Sequence, residues 1–199
     1  MFFRQHCRLR PAYLFGFLLS GTLPLICNAD MDVNITANII NNTCYISVDN
    51  NGNIHMPIVS LNYFNDRGDP SSPLLPTDAA GGTPFNIRVE DCEDWTTGEA
   101  SRLHFAFKPL TGTFPASSKQ IFINESSDGA KNVGVVVFSS MTNKNVLNSD
   151  GMSDVTYDVK GKAWSEYLTD YSFYVRYQNY GSPTAGRVTS NVLVSVVYD

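Results

Sequence analysis

The chain has 199 residues, with 14 Lys and Arg against 19 Asp and Glu and a net charge of −5. That acidic balance, with no cluster of basic residues, argues against a nucleic acid or an anionic lipid surface as partner. The length suits one domain with a sizeable core and is short for two.

Arg4, Arg8 and Arg10 give the chain a basic start, and residues 13–26 form an apolar run broken only by Gly16, Ser20, Gly21, Thr22 and Pro24. Cys27 and Ala29 then supply small residues at the spacing a signal peptidase reads. The run is too short to span a bilayer, and no later stretch is long and apolar enough, so the mature chain is expected not to insert in a membrane. The expected boundaries are a signal peptide over 1–29 and one mature domain over 30–199, 170 residues long (199 − 29). Lipidation of Cys27 is the poorer reading, because Ile26 stands where a small residue should precede a lipidated cysteine. Three of the 14 basic residues leave with the leader, so the mature balance is 11 against 19, a net charge of −8.

Cys7 and Cys27 also fall within the leader. Cys44 and Cys92 remain, in a chain bound for an oxidising compartment, and if a bridge forms at all it joins these two. A loop of that length stabilises by roughly 4 kcal/mol in the chain-entropy picture. The alternative is a pair of unrelated buried thiols.

From residue 31 onward nearly every ordered segment reads as strand. Alternating or β-branched and aromatic residues appear in MDVNITANI, TCYISVD, NIHMPIV, TPFNIRVEDC, RLHFAFK, QIFINE, VGVVVFSS, DVTYDV, YSFYVRYQ and RVTSNVLVSVVY. Gly, Pro, Asn, Asp and Ser clusters separate them. No sustained apolar stripe at helical spacing occurs, and AWSEYLTDY has room for one short turn. Many short strands mean a sandwich or a barrel. The stretch 62–83 is the longest irregular piece and reads as a surface excursion.

The two ends carry the functional reading. The last strand is expected over 187–198. Val188, Val192, Val194, Val196 and Tyr198 fall on one face, interrupted by Ser190, with Leu193 and Val197 on the other. A strand apolar on both faces is expected to be central and to need a neighbour on each edge. At the other end Met31, Val33, Ile35, Ala37 and Ile39 alternate with polar residues on a terminal arm. On periodicity alone that arm reads first as the opening strand of its own sheet, with a free arm as the alternative, and counting strands does not settle the matter.

Catalysis and metal chemistry have little support. His55 and His104 lie in strand-like segments, and no nucleophile elbow, zinc-ligand helix or Gly-rich phosphate loop is present. Asp91, Glu93 and Asp94 read as a solvated strand end, and SDGMSD lacks the full ligand series of a calcium loop. No cofactor is expected. Arg67, Gly68 and Asp69 spell an integrin-binding tripeptide, which composition alone makes a coincidence. The sequons at Asn34, Asn41 and Asn124 matter only in a eukaryotic secretory pathway. Trp95, Trp164, Tyr167, Tyr171, Tyr177 and Tyr180 have a default role in core and sheet packing, with a shallow sugar site as the alternative.

Taken together, the arm and first cysteine (ADMDVNITANIINNTC), the strand closing on the second cysteine (PFNIRVEDC) and the terminal block TAGRVTSNVLVSVVYD resemble the subunits of chaperone–usher pili, type 1 fimbrial minor (adaptor) subunits in particular. In that family a Gly fourteenth from the end and a penultimate Tyr mark the chaperone-binding end, matching Gly186 and Tyr198. The resemblance implies an all-β, incomplete immunoglobulin-like β-sandwich lacking its last strand. It implies an N-terminal donor arm over 30–41, with Met31, Val33, Ile35, Ala37 and Ile39 as the donor strand. The acceptor groove would comprise Gly186, Val188, Val192, Val194, Val196, Tyr198 and Asp199. The implied partners are a periplasmic pilus chaperone that holds the Asp199 carboxylate, an outer-membrane usher, and neighbouring pilus subunits. The implied destination is the fimbrium at the cell surface, reached through the periplasm. The family usually has Gly where this chain has Ala37. Four sizeable apolar arm residues, at roughly 1.5–3 kcal/mol each, give on the order of 6–12 kcal/mol as an upper bound, which rivals the whole stability of a typical domain. A secreted glycan-binding domain is the alternative function.

Overall fold

The computed structural model describes residues 43–65, 73–92, 100–153 and 155–199. Within them the chain forms β1 (Thr43–Val48), β2 (Thr83–Cys92), β3 (Arg102–Pro109), β4 (Phe122–Ile123), β5 (Val133–Ser139), β6 (Lys144–Asn145), β7 (Val155–Asp158), α1 (Trp164–Tyr167), β8 (Asp170–Asn179) and β9 (Val192–Tyr198). The one α-helical turn among the described residues falls in the segment read as having room for one.

All ladders are antiparallel, in the order β4-β5-β8-β2-β1-β9-β3-β7 with β6 on β5. The sheet folds over at β1. Cys44 to Val48 pair with β2 on one side, while only Thr43 and Cys44 pair with β9 on the other. A register shift opposite Tyr45 and Ile46 leaves Glu90 of β2 as an extra residue, so β2 bends beside the point where β1 passes from one layer to the other. The result is an immunoglobulin-like sandwich, with β4-β5-β8-β2 facing β9-β3-β7.

Alternation decides what each strand buries. In β2, Phe85, Ile87 and Val89 enter the core while Arg88 and Glu90 face solvent. In β3, Leu103, Phe105 and Phe107 do the same, and in β8, Tyr171, Phe173 and Val175. The two layers meet through aromatic contacts, with Phe105 and Tyr171 ring centres 4.8 Å apart and Phe107 and Phe173 5.2 Å apart. Burial pushes the Tyr171 hydroxyl up to about 12. β5 is buried on both faces, as a strand covered on each side must be. Cys44 and Cys92 stand opposite one another in the β1–β2 register and form a disulfide with an S–S distance of 2.05 Å.

The outer face of β8 is covered as well. Arg176 is fully buried and has no carboxylate partner among the described residues. Its guanidinium donates instead to the backbone carbonyls of Leu75 (2.5 Å), Asp78 (2.9 Å) and Tyr177 (3.0 Å) and to Gln178 Oε1 (2.7 Å). It also lies 5.4 Å from the centre of the Phe138 ring. Gln178 Nε2 donates to the Leu74 carbonyl at 2.8 Å. Desolvation lowers the Arg176 pKa from its ordinary value. The stretch 62–83 is therefore more than a surface excursion. Leu61–Phe64 is a 3-10 turn, Asn65 bridges Pro73, and the Leu75 and Asp78 carbonyls accept from buried Arg176 while the Leu74 carbonyl accepts from Gln178.

Two expected strands differ in extent. NIHMPIV forms no strand and joins no ladder among the described residues. The last strand begins at Val192 rather than at 187. Over 187–189 the backbone is instead bonded to the β4 side of the molecule: Ala130 N–H donates to the Arg187 carbonyl (2.9 Å), Glu125 N–H to the Thr189 carbonyl (2.7 Å), and Thr189 N–H to Asn124 Oδ1 (2.8 Å), while the Asn191 carbonyl accepts from Leu110 N–H (3.0 Å) just past β3.

Candidate functional site

β9 is paired unequally on its two edges. β3 matches it from Leu103↔Tyr198 to Pro109↔Val192, its whole length. On the opposite edge β1 reaches only Val196 and Val197, so 192–195 have no ladder partner there among the described residues. The chain leaving β1 then runs past this edge at a distance. Residues 49–52 form a 3-10 turn in which Asn50 and Asn51 adopt positive φ (52° and 54°), and 53–59 follow without joining a ladder among the described residues. Between the two walls lies a groove of about 530 Å³.

Its chemistry follows from which side chains alternation turns inward. Val188, Val192 and Val194 line one wall, and Val48, Ile54 and Met56 the other, all partly buried and packed against the main core. The floor is the core itself: Phe85, Phe107, Val135, Val137 and Val175, with Tyr177. Burial raises the Tyr177 pKa, keeping that hydroxyl neutral. His55, Asn53, Thr189 and Asn191 complete the lining. The slot thus offers an apolar floor between 188–194 and 53–56, whose facing backbones join no ladder with one another among the described residues. Such a site takes an extended peptide, because main-chain groups on both walls can pair while alternate side chains drop inward.

The wall 187–191 is held in place by side chains that pattern reading passes over. Asn124 uses its whole amide: Nδ2 donates to the carbonyls of Ala130 (2.8 Å) and Arg187 (2.9 Å), and Oδ1 accepts from Ser126 and Thr189 N–H. Ser190, the polar break in the valine series, donates to the Ile123 carbonyl at 2.7 Å. Gly186 sits at φ +153°, and a Cβ there would run into the backbone of Gly129 and Ala130. The glycine is required by two backbones crossing closely.

At the far end of β9, the terminal carboxylate of Asp199 accepts from Ser101 N–H (2.5 Å) and Arg102 N–H (3.3 Å). Its side chain lies 3.3 Å from His104 Nε2 and 4.0 Å from Arg102 Nε. His104 Nδ1 is 3.2 Å from the Thr156 hydroxyl, so this histidine sits in a structural contact network. Val196 is buried, and Tyr198 is half-buried against the core.

The acceptor residues inferred from sequence therefore divide. Val188, Val192 and Val194 line the groove; Val196 lies beneath the β1 pairing, Tyr198 and Asp199 lie at the C-terminal end, and Gly186 lies just before the wall begins. The arm residues Met31, Val33, Ile35, Ala37 and Ile39 lie outside the described residues, as do the leader, Arg67, Gly68, Asp69, Glu93, Asp94, Trp95 and the sequons at Asn34 and Asn41. Tyr167 and Tyr171 are buried. Among the described residues no three His, Cys, Asp or Glu side chains gather as a metal site, and no helix is long and apolar enough to cross a membrane. The opposite wall at Ile54 and Met56 was missed by sequence reasoning, although the alternation in NIHMPIV carried the signal.

The sequence model of the fimbrial protein family matches residues 33–199. The fimbrial-like protein YadK of Escherichia coli (strain K12) is 38% identical over 183 residues, covering 86% of each chain.

Proposed function

Because this chain belongs to the fimbrial protein family, whose members are structural subunits of surface fimbriae and associate with other pilus subunits, we propose that it polymerises by donor-strand exchange as a minor or adaptor subunit in cell adhesion. The observation that carries this reading is the groove: an apolar floor between two backbone edges that join no ladder, beside a C-terminal strand paired over its full length on one edge only. In this reading residues 1–29 are a signal peptide and 30–199 the pilin domain, with 30–41 as donor arm. Met31, Val33, Ile35, Ala37 and Ile39 enter the groove of the preceding subunit, and this chain's groove receives the arm of the next.

Before assembly a periplasmic chaperone lends a strand to the same slot and holds Asp199, and an outer-membrane usher hosts the exchange. Arg102, His104 and two backbone N–H groups already gather around Asp199, so its carboxylates are fixed in position for a cationic partner. Strand addition supplies main-chain hydrogen bonds common to any donor, while the pockets between Val188, Val192, Val194, Ile54 and Met56 read the donor's side chains. The role needs no catalytic residue.

Deleting residues 30–40 tests the donor role. The truncated chain is expected to bind its chaperone normally and to lose attachment to the preceding subunit in co-purification. Stable attachment without the arm would refute the proposal.

A further inference from the structure

The arm leaves little chain to spare. With residues 31–39 in an acceptor groove, only Ile40, Asn41 and Asn42 separate it from Thr43, where the donor's own β1 begins. Four peptide links span at most about 14 Å. The body of the donor must therefore come to rest against the rim at the end of the groove where the arm emerges. Every ladder in this sheet is antiparallel, and an arm antiparallel to β9 emerges beside Val188. The opposite end of the slot is closed by Thr43 and Cys44 on Val197 and Val196.

The rim at the Val188 end is apolar. Ile58 is fully exposed (103%) and Leu61 half exposed (50%), beside a second depression of about 300 Å³ between Met56, Pro57, Val59, Tyr63 and Tyr177. The strand the arm leads into carries its own large exposed residue near its start, Tyr45, at 57%. Scattered exposed apolar residues are ordinary; these lie where the tether length forces two bodies together.

We propose that the Ile58–Leu61 rim is a second contact between subunits, receiving the body of the donor, a second copy of this chain, at its Tyr45 end. The inference rests on the donor-strand reading. Because the two patches differ, the contact is heterologous and repeats from copy to copy without closing on itself, as a filament requires.

The test uses full exported chains. An acceptor carrying Val33→Asp with Ile35→Asp, and so unable to donate, is filled either by a synthetic peptide of residues 30–42 or by the arm of a donor copy whose own groove holds that peptide. Release in guanidinium is then timed. The donor copy is expected to leave about tenfold more slowly than the peptide, the effect of one buried aliphatic side chain. Ile58→Asp with Leu61→Asp in the acceptor is expected to erase that difference and leave peptide release unchanged, which also reports that the variant is folded. Equal release of donor and peptide, or a difference that survives the double substitution, overturns the rim contact alone. A peptide that is never retained overturns the donor-strand reading and the rim contact together.

Discussion

The outer face of β8 and the groove beside β9 pose the same problem and meet it differently. Each sets groups that need partners at the sheet surface: the Arg176 and Gln178 side chains on β8, and backbone 192–195 at the groove. On β8 the chain supplies its own cover: the carbonyls of Leu74, Leu75 and Asp78 close over Arg176 and Gln178. Beside β9 the neighbouring segment 53–59 stands off, leaving a slot with an apolar floor. The covered face uses buried hydrogen bonds that are costly to leave unmade, so it holds one arrangement. The groove leaves 192–195 without a ladder partner on one edge among the described residues, and in the proposed function that edge takes a strand from another molecule. A single sandwich thus contains one surface sealed in cis and one that fits a seal from another molecule.

The largest effect is expected from spoiling the open surface. Replacing Val194 and Tyr198 with Asp places charge against the groove wall and the core beside it, where both side chains now pack against apolar residues. Little or no protein is expected from the periplasm, and a normal yield would argue that the groove is dispensable. Next comes the covered face. Arg176→Met removes the donors that hold the 74–78 carbonyls and is expected to cost about 2–5 kcal/mol of denaturant stability in the peptide-filled protein. Because this network lies on the other face of β8, the rate of donor-peptide release should change little. The smallest effect belongs to the groove wall. Asn124→Ala breaks the bonds to 187–189 and is expected to cost about 1–3 kcal/mol. Here release of the peptide should accelerate, the reverse of the Arg176 pattern. If both variants affected release alike, the two surfaces would not be independent.

The sequence revealed these regions to different degrees. Strict alternation in TPFNIRVEDC and RLHFAFK was enough to place β2 and β3 and their buried faces, because one side of each strand is apolar throughout. The valines of the last strand were legible for the same reason, although its first five expected residues leave the ladder. Asn124 and Ser190 divert them, and side-chain bonds to distant carbonyls have no local signature. Arg176 misleads for a related reason. In YSFYVRYQ it sits at an outward position, where arginine is ordinarily solvated, and only the fold shows that 74–78 returns to cover it. The groove was legible as a strand lacking a neighbour, but its second wall was read as one more paired strand, since alternation reports which face is apolar and says nothing of whether a partner strand is there.

Hydrogen exchange across residues 192–195, with and without the peptide of residues 30–42, tests the central claim most directly. The account predicts that amides facing the slot exchange quickly in the chain alone and become strongly protected once the peptide is bound, with cooperative unfolding appearing at the same time. An isolated chain already protected there, folded cooperatively and long-lived with its own leading segment beside β9, would contradict it.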